Sequence, residues 1–246
     1  MILKKSLGQN FFNNPNLAIK IVAEALKSNP EFVLEIGPGD GYFTKLILEK
    51  CKNIIVIEKD SNLASNLQIK FPEIKVINQD FLHFNLNTIS QIDSSVVFGS
   101  LPYNVCKPII KLLLESGLFK EMYFILQKEV AQKYAGSFGS SLLSITTKAY
   151  ANTKILFDIN PGSFLPRPKV VSSFIHFTRN ENMTGLNIDT FKYIVKHSFS
   201  SPRKTLRNNL KGVLFDSIIS DEMLNKRPED LTYDEYVTLS KCYNQK

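Results

Sequence analysis

The stretch 32–50 restricts the fold of this chain more than any other. Phe32-Val33-Leu34-Glu35-Ile36 is a short, β-rich apolar run, and it reads as a buried strand. Gly37-Pro38-Gly39-Asp40-Gly41 follows at once, and residues 42–50 then take helical spacing. A strand, a glycine turn and a helix in immediate succession is the context that gives a glycine motif meaning. Gly37, Gly39 and Gly41 let a ligand lie against the backbone at a helix N-terminus, and they are candidate cofactor-binding residues.

The pattern continues downstream. Strands are expected at 54–57 (ending in Glu58), 74–77 (ending at Gln79-Asp80), 95–98 and 122–126, with helices at 60–71 and 108–114 between them. Such alternation implies a mostly parallel, doubly wound α/β sheet. Two further strands, 155–159 and 173–177, flank the proline-rich segment 161–169 and fit an antiparallel pair at one sheet edge. Upstream, residues 4–14 read as an ordered arm, with Asn14 as N-cap of a helix opened by Pro15. Residues 178–185 are polar and read as a linker. From Asp189 on the periodicity is helical, through Phe191, Ile194, Val195, Leu206, Leu210, Met223 and Tyr236. The expected organisation is a Rossmann-like domain over 1–180 and a small helical domain over 187–246.

Composition excludes several classes of function. Three cysteines, Cys51, Cys106 and Cys242, and three histidines, His83, His176 and His197, are scattered. They form neither a disulfide framework nor a metal-ligand spacing, so a reducing cytoplasm and no metal are expected. No apolar stretch approaches the roughly 20 residues that span a bilayer, and no signal peptide is expected in the first residues. The net charge of +7 suits a polyanionic partner.

Two more features carry chemistry. Glu58 ends the strand after the glycine turn, where a carboxylate accepts hydrogen bonds from a ribose diol. Asp80 is placed to accept from an adenine amino group, with Phe81 packing on the ring. The glycine turn is not the G-x-G-x-x-G of nicotinamide cofactors, and Glu35 lies just before it. S-adenosylmethionine is cationic and has no pyrophosphate to cap a helix, so nearby acids favour it over a dinucleotide. The other feature is Gly99-Ser100-Leu101-Pro102-Tyr103, at the end of the 95–98 strand. Gly99 permits close backbone approach or an unusual turn. Pro102 holds Leu101 extended, Ser100 offers a hydroxyl, and Tyr103 offers a flat ring.

The chain resembles the KsgA-type family of ribosomal RNA adenine dimethyltransferases. The resemblance rests on Lys4-Lys5-Ser6-Leu7-Gly8-Gln9-Asn10-Phe11, Glu35-Ile36-Gly37-Pro38-Gly39-x-Gly41, Val56-Ile57-Glu58-x-Asp60, Gln79-Asp80 and Gln127-Lys128-Glu129-Val130. It continues through Phe164-x-Pro166-x-Pro168-Lys169-Val170, the run from Arg203 to Leu210, and Arg227-Pro228-Glu229-Asp230-Leu231. It implies that Asn10, Phe12, Gly37, Glu58 and Asp80, with Gly39, Gly41, Phe81 and Ser100, line an S-adenosylmethionine site. It also implies that Ser100, Leu101, Pro102 and Tyr103 form the catalytic motif, normally Asn-Leu-Pro-Tyr. Ser100 is the one serious departure. The implied reaction dimethylates two adjacent adenosines near the 3′ end of 16S rRNA on an immature 30S subunit, with a role in its assembly. A monomer is expected.

Arg203, Arg207 and Lys211 recur at helical spacing, with Lys204 beside them. On a helix begun near Pro202 they share one face, suited to RNA phosphates, while Leu206 and Leu210 turn to the core. Lys128, Arg167 and Lys169 extend that patch. Two alternatives stay open at this point. One is an Erm-like methyltransferase of 23S rRNA. The other is a 30S assembly or binding factor whose activity is impaired by Ser100.

Overall fold

The computed structural model describes residues 10–89, 94–180, 186–215 and 219–243. Residues 4–9 of the expected arm and 181–185 of the expected linker lie outside the described residues. The chain divides into two units. One takes the chain to Ala131 together with Thr153–Arg179, and the other takes Gln132–Asn152 and the chain from Asn180 on.

The first unit holds β1 (Phe11–Phe12), α1 (Pro15–Ala25), β2 (Phe32–Ile36), α2 (Tyr42–Lys50), β3 (Ile54–Glu58), α3 (Ser61–Lys70) and β4 (Lys75–Asn78). It continues with β5 (Ser95–Ser100), α4 (Cys106–Ser116) and β6 (Glu121–Gln127). Helix α5 (Lys128–Ala135) begins in it, and β7 (Ala151–Ile159), β8 (Phe164–Leu165) and β9 (Ser172–Arg179) complete it. Local sequence sets these boundaries. The Asn14 side chain accepts the Leu17 N–H and Pro15 opens α1, while Asp60 Oδ1 accepts the N–H groups of Asn62 and Leu63 to open α3.

Seven strands form one sheet in the order β4-β3-β2-β5-β6-β9-β7. Strands β2 to β6 are parallel where they pair, whereas β9 runs antiparallel to β6 and β7 lies outside it at the edge. All five β2 residues are buried, as expected of a central strand in a sheet covered on both faces. Strand order reverses between β2 and β5, and ligands of open α/β sheets bind at the carboxyl ends beside such a switch point. Glu35 is level with Phe98 there, so the glycine turn after β2 and the Gly99–Tyr103 turn after β5 emerge side by side.

Sequence reasoning did not find the two-stranded pairing of β1 with β8, Phe11 against Leu165 and Phe12 against Phe164. The Phe12 ring packs 4.9 Å from Phe43 and 5.1 Å from Phe164, which fastens the N-terminal segment to the sheet's core.

The second unit contains α6 (Leu142–Lys148), α7 (Ile188–Ser198), α8 (Leu206–Asn209), α9 (Asp221–Asn225) and α10 (Tyr233–Lys241). Its membership differs from the expected 187–246, because residues 132–152 join it. Ile145 and Ala149 bury themselves among Phe191, Ile194, Leu206 and Tyr236. The single basic helix expected from Pro202 onward is also corrected. Only Leu206–Asn209 are helical. The Asn209 side-chain amide donates to the carbonyls of Ser198 and Ser201, tying down the turn before α8, and Gly212 takes a left-handed φ of 87° just after it. Leu206 and Leu210 do face the core, as expected. Among the described residues no helix is long and apolar enough to cross a membrane.

Candidate active site

A cavity opens where the carboxyl ends of β2, β3 and β5 meet. Asn10, Phe12, Gly37, Gly39, Glu58, Asp80, Phe81, Ser100, Leu101, Pro102 and Tyr103 all line it. Gly41 does not. It is the residue before α2, at φ 81°, and a Cβ there would meet the Phe71 ring at 2.6 Å and Leu67 at 2.8 Å. Its glycine is required by the turn and by packing, not by the cavity.

Each acid in the half of the cavity beside β2 and β3 is tied to the protein. Glu58, almost fully buried at the end of β3, accepts the Gly39 N–H at 3.1 Å on Oε2 and the Asp60 N–H at 2.8 Å on Oε1. Burial pushes its pKa up and these two bonds oppose the shift. Each oxygen keeps a lone pair for a further donor. Asp80 forms an ion pair with Lys59 at 2.8 Å and accepts the Leu82 N–H, and the Lys59 bond holds its carboxyl below the usual range. Lys59 also lines the cavity; no motif had singled it out. Glu35 accepts the Thr44 hydroxyl at 2.7 Å, and burial pushes its pKa up to about 8. Glu35 is therefore held mostly protonated at neutral pH beside the glycine turn.

The other half is the turn after β5. A Cβ on Gly99 would stand 3.1 Å from the Ile36 carbonyl oxygen and 2.8 Å from Leu101, so the glycine permits the close approach of β5 to β2. The Pro102 carbonyl accepts the N–H groups of Val105 and Cys106 and starts α4. The carbonyls before it are therefore not drawn into the helix. Ser100 is half-buried at the cavity wall, and Tyr103 is joined by its phenol to the Ser172 hydroxyl at 2.7 Å. Asn104, exposed beside Tyr103, lines the cavity too; sequence reasoning passed over it although it directly follows the motif.

The basic residues are less concerted. Arg203, Lys204, Arg207 and Lys211 are all exposed, but they are spread over a turn, the short α8 and the turn after it. Arg207 is engaged by Asp221 at 2.6 Å. Lys128 pairs with Asp158 at 2.5 Å, while Arg167 and Lys169 are exposed on the segment before β9. Among the described residues no group of three or more His, Cys, Asp or Glu could hold a metal.

Two solved structures share this architecture over nearly the whole chain. The 23S rRNA methyltransferase ErmE superposes with a TM-score of 0.76 at 21% identity, covering 96% of this chain and 100% of that one. A dimethyladenosine transferase from Plasmodium falciparum gives 0.79 at 22%, covering 95% and 99%. Sheet order and these superpositions thus define a Rossmann-like fold, the one these two enzymes share. Sequence narrows the class further. A relative from Flavobacterium johnsoniae, ribosomal RNA small subunit methyltransferase A, is 36% identical over 97% of this chain and 94% of its own. A protein of the same name from Francisella tularensis is 35% identical over 96% of each. The chain belongs to the ribosomal RNA adenine dimethylase family, whose sequence model matches residues 2–245.

Proposed function

We propose that the chain uses S-adenosylmethionine to dimethylate the exocyclic amines of two adjacent adenosines near the 3′ end of 16S rRNA, on an incompletely assembled 30S particle. The observation that carries this reading is that the Ser100–Tyr103 turn and the buried Glu58 face one cavity in a chain of the ribosomal RNA adenine dimethylase family.

The residues present fit the cofactor. Glu58 retains acceptor capacity toward a ribose diol, Asp80 and Phe81 suit an adenine edge and face, and Gly37 and Gly39 allow backbone contact. Asn10 and Phe12 complete that wall. When bound, S-adenosylmethionine supplies an electrophilic methyl group.

The chain's own work is positioning. An adenine amine is a poor nucleophile because its lone pair is delocalised into the ring, and the base has to leave its stack to be reached. Tyr103 offers the ring on which the flipped base stacks. Ser100 Oγ and the carbonyls just before Pro102 offer acceptors for the amine N–H groups, turning the lone pair toward the methyl group. Orientation and preorganised dipoles of this kind supply much of such a rate. The exposed Arg203, Lys204, Arg207 and Lys211 serve RNA phosphates.

The Ser100 hydroxyl sits on a shorter arm than a carboxamide, and this favours a second reading, an assembly factor with reduced transfer. One experiment separates the readings. Radiolabelled cofactor is incubated with undermethylated 30S particles, or with 23S rRNA, beside a Ser100→Asn variant. We expect slow transfer to 30S and a faster variant, by up to the roughly 10²–10³-fold that one positioned hydrogen bond supplies elsewhere. Transfer to 23S rRNA alone would favour the Erm-like alternative. Binding to 30S without transfer by either protein would leave the assembly reading.

A further inference from the structure

The Tyr103 phenol is not left loose at the cavity. Its oxygen lies 2.7 Å from Ser172 Oγ. Ser172 opens β9, is fully buried, and stands opposite Gln127 of β6. The backbone on either side of it is fixed independently. The Val171 carbonyl accepts the Lys128 N–H at 2.9 Å, and Ser173 Oγ donates to Asp158 at 2.7 Å, whose other oxygen holds the Lys128 ammonium. Successive strand residues point to opposite faces, so Ser173 anchors the strand while Ser172 reaches Tyr103.

A tyrosine ring turns about two torsions. Near its Cα, Tyr103 is followed directly by the turn into α4, and its carbonyl accepts from Cys106 Sγ at 3.4 Å. A bond at the far end of the ring to a fixed point stops the swing about the first torsion, because the phenol oxygen moves with that torsion and lies on the axis of the second. We propose that Ser172 is a positioning residue for methyl transfer: through its hydroxyl it holds the Tyr103 ring at the place in the cavity wall that receives the acceptor base. The inference rests on the reading of Tyr103 as that base's stacking surface. Burial raises the phenol's pKa, so the hydroxyl stays neutral and serves orientation, not proton transfer.

Removing the bond from either side tests this. Ser172→Ala, Tyr103→Phe and the double variant are assayed on undermethylated 30S particles, with cofactor affinity measured by equilibrium dialysis of radiolabelled S-adenosylmethionine. Each single variant should lose about tenfold in kcat, less than the roughly 10²-fold of a 1 Å misplacement. KM for the particle and cofactor affinity should stay unchanged. The double variant should be no slower than either single one, because both remove the same bond. Tyr103→Phe keeps the ring and the packing, so it stands in if Ser172→Ala does not fold. Full activity in Ser172→Ala, multiplying losses in the double variant, or weakened cofactor binding would overturn the proposal; the last would make Ser172 a packing residue. Absence of transfer by the unmutated chain would instead overturn the methyltransferase reading, and this inference with it.

Discussion

The two halves of the cavity are built differently. On the β2–β3 side every acid of the lining is bound to the protein: Glu58 by two backbone N–H groups, Asp80 by Lys59 and Leu82, Glu35 by Thr44, and Asp40 by the Tyr42 N–H. On the β5 side, among the described residues, the Ser100–Tyr103 turn has one side-chain bond outside itself and α4, from the Tyr103 phenol to Ser172. The β2–β3 side is thus fixed by its own bonds, and the β5 side is held by fewer side-chain bonds. A rigid half loses binding and stability together when altered, whereas a lightly held half loses rate alone.

The largest effect that would test this contrast is at Glu58. Glu58→Ala removes the carboxylate from two backbone donors and from the ligand. Cofactor binding, read by calorimetry, should weaken by about 10- to 10²-fold, in line with the ~1.5–3 kcal/mol of a hydrogen bond to a charged group. Thermal stability should fall as well; an unchanged melting temperature would mean that half is less rigid than its bonds suggest. Gly41→Ala comes next. The left-handed φ and the approach to Phe71 should lower stability by about 1–3 kcal/mol in denaturant unfolding. Cofactor affinity should follow only in proportion to folding, because Gly41 is outside the cavity.

Glu35 sharpens the comparison through pH. Its carboxyl binds its proton more tightly folded, at about 8, than unfolded, at 4.5. Its contribution is fully present below about pH 4.5 and is lost as pH rises through 8. Glu35→Gln should flatten that decline relative to the wild chain when melting is followed from pH 5 to pH 9. A parallel slope in both proteins would show that Glu35 does not carry it. The smallest effect is expected at Arg207, whose exposed pair with Asp221 contributes at most ~1 kcal/mol to stability. Because that pair partly satisfies its charge, Arg203→Ala should weaken 30S binding more than Arg207→Ala does. Arg203→Ala should lower the salt slope by about one, and Arg207→Ala by less. Equal losses would place both charges on phosphate.

The sheet and much of the cavity lining were legible because their signals are local. Each strand of the alternating region is a short apolar run bounded by turn residues, and Gly37, Glu58, Asp80 and Ser100 stand at strand ends, which parallel pairing brings to one edge. What was illegible depended on contacts distant in sequence or on single side chains. Two-residue strands such as Phe11–Phe12 have no periodicity to read. Residues 132–152 gave no sign that Ile145 would pack with Phe191. The spacing of Arg203, Arg207 and Lys211 was helical, yet the Asn209 amide bonds and Gly212 confine the helix to one turn. Lys59 and Ser172 belonged to no motif and were found only through their partners.

The pairing of β1 with β8 has a consequence for how the protein is made. Synthesis runs from the N-terminus, so Phe11 and Phe12 leave the ribosome long before Phe164 and Leu165 exist. A nascent chain that has just completed β6 holds every strand of the parallel sheet, yet the cavity wall that Phe12 and Phe164 form together is still open. Closure of that wall waits on a contact of high sequence separation, the kind that forms late. The capacity to hold a ligand therefore arises only once Phe164 and Leu165 have been made, not when the glycine turn first folds.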